Sequence, residues 1–312
     1  MKKIQQRLTE NGNEMTILPR WLKSLAKRSN MLVKLNASLR WKLHVLTDWW
    51  GTKIWTRTSE VVTPLGFKLT SGLHPAYQLM RSGKFEVEET SIIARLLPKV
   101  DVFVDIGANL GYYSCLALQS EKPVVAFEPQ QQNLRCLFQN LIANGWEDKA
   151  EVFPLALSDR PGLLTLYGAS GPSASLIKDW AGYSSHYRKT VPVSTLDNML
   201  AGRFSGKRLF VKIDVEGAEY SVLKGALATI CRGIKPVWLL EICLDEFHPE
   251  GSNPDFRKIF QLFWDHGYQA FTATVDPKLV QPTDVDNWVA QGHSGSGTFN
   301  YVFAESGDIL RR

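Results

Sequence analysis

The sequence predicts an α/β protein built on a doubly wound, mainly parallel sheet of seven strands. Two observations support this fold class. Short continuous apolar runs, typical of strands that are buried on both faces, alternate with helical patterns between residues 96 and 245. In addition, a loop with two glycines joins the first of these runs to the helix that follows it. The alternation indicates βαβ units, in which ligands bind beyond the carboxyl ends of the strands.

The elements follow in chain order from this alternation. Helices are predicted where apolar residues recur every three or four positions, and strands where short apolar runs are continuous. The predicted core strands are residues 102–104, 124–127, 151–157, 209–213, 237–242, 268–274 and 299–304. The predicted helices are residues 111–119, 130–144, 218–230 and 256–264. Two small extra strands are expected at residues 163–167 and 191–193.

Composition places the chain among ordinary globular proteins. Of its 312 residues, 44% are hydrophobic and 21% charged, which excludes collagen-like, low-complexity and broadly disordered classes. We expect a helical and mixed N-terminal extension over residues 1–95 and an α/β domain over residues 96–312. The four cysteines form no CxxC pair, so buried reduced thiols and a cytoplasmic location are expected rather than a zinc site or disulfide scaffold.

The formal net charge of +5 is concentrated at the N-terminus. Residues 1–50 contain ten Lys or Arg against three acids, whereas the remainder contains 26 basic and 28 acidic residues. Leucines at helical spacing between Leu32 and Leu46 predict a basic amphipathic helix. This helix is expected to pack on its own domain, and peripheral contact with an anionic membrane surface is the alternative. Nucleic-acid binding is not expected, because no binding motif accompanies the modest basic surplus.

The loop D-I-G-A-N-L-G at residues 105–111 is the most informative run of the sequence. Gly107 and Gly111 permit a tight turn and a close approach of a ligand to the backbone. The helix start offers N–H donors to a carboxylate or phosphate. The loop is not the dinucleotide fingerprint, because Asn109 stands where the second glycine would be. Asp105 suits a cationic group, so the predicted ligand is S-adenosylmethionine, which has an amino-acid head and a sulfonium.

Further polar residues follow the next two predicted strands. Glu128 lies 21 residues after Gly107, a spacing at which a carboxylate can accept both ribose hydroxyls. Ser158 and Asp159 follow the third strand, where Asp159 is expected to accept from the adenine amino group. One such acid alone is commonly a solvated loop carboxylate, but acids after three consecutive strands favour a shared ligand.

Five motifs together resemble the motif series of FkbM-type methyltransferases. They are D-I-G-A-N-L-G at 105–111, F-E-P at 127–129, A-L-S-D at 156–159, T-L-D at 195–197 and K-I-D-V-E-G-A-E at 212–219. The D-V-E-G-A-E block is the most specific, and the resemblance extends from about residue 86 to residue 241. It implies the class I methyltransferase fold, which is Rossmann-like, with S-adenosylmethionine as cofactor. It also implies methyl transfer, usually to a hydroxyl of a sugar or other secondary metabolite.

The predicted catalytic residues follow the fourth and fifth core strands. Asp214 ends the fourth strand across the switch point from the glycine loop, and it is expected to act beside the cofactor and in catalysis. Glu241 ends the fifth strand, and His248, seven residues later, is a second candidate base. No metal is predicted. A minor alternative is a divalent cation held by the carboxylates of Asp214 and Glu241, with or without the imidazole of His248.

Three residues are predicted to line the acceptor pocket. Glu216 is expected to face the methyl group or the acceptor, and Ser173 and Ser175 lie in a polar, aromatic insertion before the fourth strand. The expected partner is a small-molecule or glycan acceptor, methylated on oxygen. The rival functions are a nicotinamide-dependent oxidoreductase, a nucleic-acid methyltransferase and a non-catalytic binding module. The glycine spacing of the loop argues against the oxidoreductase. The N-P-P-Y or D-P-P-Y run typical of nucleic-acid methyltransferases is missing after the fourth strand, and the intact acids at that position argue against a non-catalytic module.

Overall fold

The computed structural model describes residues 59–71, 75–168, 174–182, 187–245 and 247–311. Its strands are β1 Ser59–Val62, β2 Lys68–Ser71, β3 Val102–Ile106, β4 Val124–Phe127, β5 Ala150–Phe153, β6 Ala156–Leu157, β7 Gly162–Tyr167, β8 Arg188–Ser194, β9 Leu209–Ile213, β10 Val237–Glu241, β11 Gln269–Thr272, β12 Leu279–Val280 and β13 Asn300–Ala304. Its α-helices are α1 Pro75–Arg81, α2 Val87–Leu96, α3 Tyr112–Gln119, α4 Gln131–Asn144, α5 Leu196–Leu200, α6 Glu219–Lys224, α7 Leu227–Ile230, α8 Phe256–Asp265 and α9 Pro282–Gln291. Three short 3₁₀ helices are Leu97–Lys99, Trp180–Gly182 and Gly307–Leu310.

The central sheet confirms the predicted doubly wound, mainly parallel architecture. Among the described residues it has eight strands in the order β12-β11-β13-β10-β9-β3-β4-β5. The five strands from β10 to β5 are parallel, and β13 is antiparallel to both its neighbours. The predicted count of seven missed β12, because a two-residue edge strand is too short to give an apolar pattern. The chain order reverses between β3 and β9, so the switch point lies at their carboxyl ends.

Helices cover both faces of the sheet and bury its two apolar surfaces. On one face, α2, α3 and α4 pack over side chains such as Phe103 and Phe210, whose ring centroids are 5.3 Å apart. On the other face, α6 and α8 pack over Trp238 and Phe303, and the ring of Phe263 stacks on Phe303 at 4.0 Å. Fully burying an aromatic or aliphatic side chain contributes roughly 1.5–3 kcal/mol. None of the helices in the described parts of the chain has the length and apolar character needed to cross a bilayer.

The described residues of the predicted extension contribute side chains to this core. Phe67 and Leu69 of the β1–β2 hairpin are fully buried, as are Ile92 and Ile93 of α2. The predicted basic amphipathic helix near residues 32–46 lies outside the described residues.

The hairpin is attached to α4 by two asparagine side chains. Asn144 Oδ1 accepts from the backbone N–H of Lys68 at 2.8 Å, and its Nδ2 donates to the carbonyl of Lys68 at 2.8 Å. Asn140 Oδ1 accepts from the N–H of Thr70 at 2.6 Å, while its Nδ2 donates to the carbonyl of Leu110 at 2.7 Å. These amides satisfy the edge of β2 that faces away from β1.

Two predicted element boundaries were wrong, each for a local reason. The third core strand ends at Phe153, because Pro154 cannot donate to a ladder. The helix predicted at 218–230 divides at Gly225 into α6 and α7. The helix α9 was not predicted, because only Val285 in it is buried and its apolar pattern is weak.

A second sheet of three strands, in the order β6-β8-β7, lies beside the main one. The two small strands expected from the sequence are confirmed as parts of β7 and β8. This sheet contacts α6 through a close approach of Gly225 to Ser158. A Cβ atom on Gly225 would lie 2.1 Å from the carbonyl oxygen of Ser158, so only glycine fits at this position.

The replacement Gly225→Ala is therefore expected to destabilise the protein. Overpacking of this kind costs typically about 1–3 kcal/mol, so the urea midpoint of unfolding should fall in a circular dichroism titration. Gly233→Ala is the matched control, because a Cβ at Gly233 meets nothing within 4 Å. Equal stability of the two variants would contradict the packing described here.

Candidate active site

Polar side chains converge where β3, β4, β9 and β10 end. Asp105 lies near the end of β3 and is paired in register with Lys212 of β9. The chain leaves β9 through Asp214, whose N–H donates to the carbonyl of Ile106 at 3.0 Å. The switch point thus places the end of β3 directly against the end of β9.

The glycine loop after β3 has the backbone conformation that its sequence requires. Gly107 and Gly111 have φ angles of 82° and 85°, and Asn109 between them has φ 53°. A Cβ on Gly107 would lie 1.9 Å from the backbone oxygen of Asp214. Gly107 therefore allows the loop to touch the end of β9, in addition to allowing the turn.

Glu128 stands after β4 and is bound to this loop. Its Oε2 accepts from the N–H of Asn109 at 2.8 Å, and its Oε1 accepts from the N–H of Gln130 at 2.7 Å. The side chain is buried, and burial raises the pKa of Glu128 to about 7 against the lowering effect of these hydrogen bonds. The carboxylate is fixed with lone pairs to spare, which suits an acceptor for vicinal hydroxyls.

Asp105 presents a buried oxygen that no described residue satisfies. Its Oδ2 accepts from the hydroxyl of Ser114 at 2.6 Å, but its Oδ1 has no hydrogen-bond partner. The residue is 1% exposed, and burial raises the pKa of Asp105 although Lys212 opposes the shift. An orphaned carboxylate oxygen beside the glycine loop suits a cationic donor such as an ammonium group.

Lys212 is a buried cation at the centre of the site. Its Nζ lies 2.9 Å from Oδ2 of Asp214 and 5.0 Å from the ring centroid of Tyr113. Burial alone would lower the pKa of Lys212, but the carboxylates of Asp214, Asp105 and Glu86 outweigh it and hold the pKa above its ordinary value. Lys212 therefore stays charged and neutralises part of the surrounding acid.

Glu216 is held by the insertion that precedes β8. Its Oε2 accepts from Nε1 of Trp180 at 2.7 Å, and its backbone carbonyl accepts from the hydroxyl of Ser175 at 2.6 Å. The Trp180 ring packs directly on the backbone of Gly217. A Cβ atom on Gly217 would lie 2.4 Å from the nearest atom of that ring. Burial and the nearby Asp214 raise the pKa of Glu216 to about 8, so its carboxyl is largely protonated at neutral pH.

Glu241 lies at the end of β10 with no hydrogen-bond partner for its side chain among the described residues. Burial, followed by the charges of Asp214 and Glu216, raises its pKa well above the ordinary value. The structure thus brings the predicted residues Asp214, Glu216 and Glu241 into electrostatic contact with one another.

Other predicted site residues lie further from this centre. Ser158 and Asp159 follow β6 of the small sheet rather than a strand of the main sheet, which corrects the expected strand order. The carboxylate of Asp159 pairs with Lys224 at 3.0 Å, and this hydrogen bond lowers the pKa of Asp159. Their role at the adenine stays a prediction, because no described contact joins them to the glycine loop or to Glu128.

His248 and Ser173 remain predictions for different reasons. The His248 ring lies edge-on to Trp180 with centroids 6.1 Å apart, and its Nδ1 accepts from the N–H of Glu250. Ser173 lies outside the described residues. Within the described ranges, no group of three His, Cys, Asp or Glu side chains is arranged to hold a metal ion.

The sequence analysis missed Glu86, Tyr113 and Trp180. Glu86 Oε2 accepts from the hydroxyl of Tyr113 at 2.6 Å, and both residues lie over the end of β9 next to Lys212. Glu86 stands alone before α2 without a surrounding motif, and Tyr113 and Trp180 fall in patterns that are more often structural. Only the fold brings these three side chains to the strand ends.

The chain is similar to several known methyltransferases. Over 198 residues the chain is 27% identical to the hexuronic acid methyltransferase AglP of Haloferax volcanii, covering 59% of this chain and 75% of that protein. Among solved structures, a methyltransferase FkbM from Methylobacillus flagellatus matches with 16% identity and a TM-score of 0.41, covering 91% of this chain and 58% of that one. The S-adenosylhomocysteine-bound methyltransferase PaMTH1 of Podospora anserina matches with 11% identity and a TM-score of 0.34, covering 54% and 56%.

The sequence profile of the methyltransferase FkbM domain matches residues 105–270, just over half of the chain. This range begins at Asp105 and includes Glu128, Asp214 and Glu241, all of which lie at the strand ends described above. The chain therefore belongs to the FkbM family, and it is a methyltransferase that uses S-adenosylmethionine.

Proposed function

We propose that this enzyme transfers the methyl group of S-adenosylmethionine to a hydroxyl oxygen of a sugar, a glycan or a small polar metabolite. One observation carries the proposal: a cluster of buried and partly buried carboxyl groups with raised pKa values adjoins the cofactor loop at the ends of β9 and β10. Such groups can orient a neutral hydroxyl and take its proton, which methyl transfer to oxygen requires.

The residues present fit the cofactor. The unpartnered Oδ1 of Asp105 would accept from the amino group of the methionine part, and Glu128 would accept from the ribose hydroxyls. Gly107, Asn109 and Gly111 would form the turn on which it lies, because their positive φ angles fold the backbone tightly there. When bound, S-adenosylmethionine supplies an activated methyl group on a positively charged sulfur.

The chain's own contribution is alignment and proton removal. Holding the hydroxyl in line with the methyl group is the larger effect, since positioning of this kind supplies about 7–11 kcal/mol. A carboxylate that takes the hydroxyl proton adds about 10²–10⁴-fold. Asp214, Glu241 and His248 are the groups that the sequence assigns to this task. Asp214 is already ion-paired with Lys212, so we assign it to placing that cation and the end of β9.

A sugar acceptor is supported by the relative that is described as a hexuronic acid methyltransferase. The polar lining of the strand ends agrees with a sugar acceptor, because hydroxyl-rich ligands need many donors and acceptors.

A direct test is incubation of the enzyme with labelled S-adenosylmethionine and a fractionated extract of the cells it comes from. Label is expected in saccharide or small polar fractions. Recovery of the label only in protein, lipid or nucleic acid would contradict the proposal.

Replacement of Glu128 by alanine should weaken cofactor binding, because the ribose hydroxyls lose a charged acceptor. A hydrogen bond to a charged group contributes about 1.5–3 kcal/mol, so the Kd for S-adenosylhomocysteine should rise about 10- to 150-fold in calorimetry. Since the pKa of Glu128 is raised to about 7, wild-type affinity should also fall between pH 8 and pH 6 as the carboxylate is protonated. Glu147→Ala, at an exposed position, is the control. An unchanged Kd in Glu128→Ala would show that Glu128 does not bind the ribose.

The variant Asp214→Asn should keep its affinity for S-adenosylhomocysteine but transfer methyl groups more slowly. Its neutral amide no longer balances the charge of Lys212, so the cation and the end of β9 are held less firmly. We expect turnover to fall about tenfold or more, equivalent to about 1.4 kcal/mol, in the labelling assay. The opposite result, weak cofactor binding with normal turnover of bound enzyme, would place Asp214 in the cofactor site instead.

A further inference from the structure

The proposed O-methyl transfer leaves open which carboxylate takes the hydroxyl proton. Resting on that function, we propose that Glu86 is the general base and that Tyr113 positions it. Glu86 precedes the sequence motifs of the strand ends and reaches the site from the start of α2.

The backbone at Glu86 directs its side chain into the site. Glu86 is the N-cap residue of α2 and has the left-handed conformation, φ 38° and ψ 59°, which is uncommon for a residue with a Cβ. The Glu86 side chain makes no capping hydrogen bond to its own helix. Strained residues of this kind cluster at functional sites.

The Glu86 carboxylate is anchored at one oxygen and open at the other. Oε2 accepts from the hydroxyl of Tyr113 at 2.6 Å, whereas Oε1 has no hydrogen-bond partner among the described residues. The neighbouring Phe85 ring packs against Tyr112 and Tyr113, with centroids 5.1 and 6.2 Å away, which fixes the start of α2 on α3. One oxygen is thus held in place and the other is available to an incoming hydroxyl.

The other carboxyl groups of the cluster are engaged or unsuited. Asp214 is paired with Lys212, and Glu219 accepts from the N–H of Gly217. Glu216 is held at one oxygen, as Glu86 is, but its pKa of about 8 leaves its carboxyl largely protonated at neutral pH. Glu241 has no hydrogen-bond partner among the described residues, but burial and three acidic neighbours raise its pKa well above the ordinary value, which favours the protonated form. Glu241 is therefore suited to orienting the acceptor rather than to deprotonating it.

The surroundings of Glu86 tune it to the working range of a base. Several charged and titratable groups face Glu86 from the elements around it. They are Glu89 on α2, Tyr112 and Tyr113 on α3, Lys212 on β9, Asp214 directly after β9, and Glu241 on β10. Burial and Asp214 raise the pKa of Glu86 to about 7, while Lys212 and the Tyr113 hydroxyl act in the lowering direction. A base with a pKa near the operating pH is the most effective.

The proposed step balances in atoms and charge. The bond from the acceptor oxygen to the methyl carbon forms as the bond from that carbon to sulfur breaks. The hydroxyl proton passes to Oε1 of Glu86, the methyl donor becomes a neutral thioether, and the positive charge lost at sulfur is matched by the negative charge lost at Glu86. The proton then returns to solvent.

Glu86→Gln tests the role of the carboxylate, with Glu88→Gln on the same helical turn as the matched control. The assay measures methyl transfer to whichever extract fraction the wild-type enzyme labels, together with calorimetric binding of S-adenosylhomocysteine. Glu86→Gln should lower kcat about 10²- to 10⁴-fold, leave the Kd for S-adenosylhomocysteine within twofold, and abolish the rise of rate between pH 6 and pH 8. Wild-type kcat in Glu86→Gln, or a parallel loss of cofactor affinity, would overturn the proposal.

Tyr113→Phe provides a second test that keeps the carboxylate. Because the Tyr113 hydroxyl lowers the pKa of Glu86, its removal should shift the acidic limb of the kcat profile to higher pH, with more activity recovered at pH 9 than at pH 7. An unshifted limb would contradict the proposal even if Glu86→Gln failed to fold. Labelling of a fraction other than saccharides or polar metabolites would refute the proposed acceptor class, whereas these rate and pH results decide the role of Glu86.

Discussion

The ammonium group of Lys212, enclosed by acids at the end of β9, is the interaction on which the site depends. Asp105, Asp214 and Glu86 come from three different elements, and each lies close enough to affect the ionisation of Lys212. Without this cation, the carboxylates would repel one another in a poorly solvated space. Removing one partner of a buried ion pair typically costs about 3–5 kcal/mol, so the cluster holds β3, β9 and the start of α2 in one arrangement.

Two close backbone contacts connect the glycine loop, the residues after β9 and the insertion that contains Trp180. Gly107 lies against the carbonyl of Asp214, and Gly217 lies under the ring of Trp180. Both contacts exclude any side chain larger than hydrogen. A displacement of the glycine loop would therefore be transmitted to Asp214 and Glu216, because packed atoms at such distances do not yield independently.

The sequence predicted the parts of the molecule that depend on local pattern. The parallel strands, the glycine loop and the position of Glu128 follow from apolar runs, turn chemistry and spacing along one βαβ unit. The partners of Asp159 and the approach of Glu86 to Lys212 did not follow, because they depend on contacts between residues more than 60 positions apart. The two-residue strand β12 gave too little signal to be recognised.

The asparagine pair of α4 has a consequence for solution behaviour. A two-stranded ribbon normally offers an open row of amide and carbonyl groups, which can recruit another extended chain and start aggregation. In this protein, Asn140 and Asn144 occupy that row on β2 with their side-chain amides. Because a side-chain amide cannot continue a strand, the β2 edge of the hairpin is protected against edge-to-edge association.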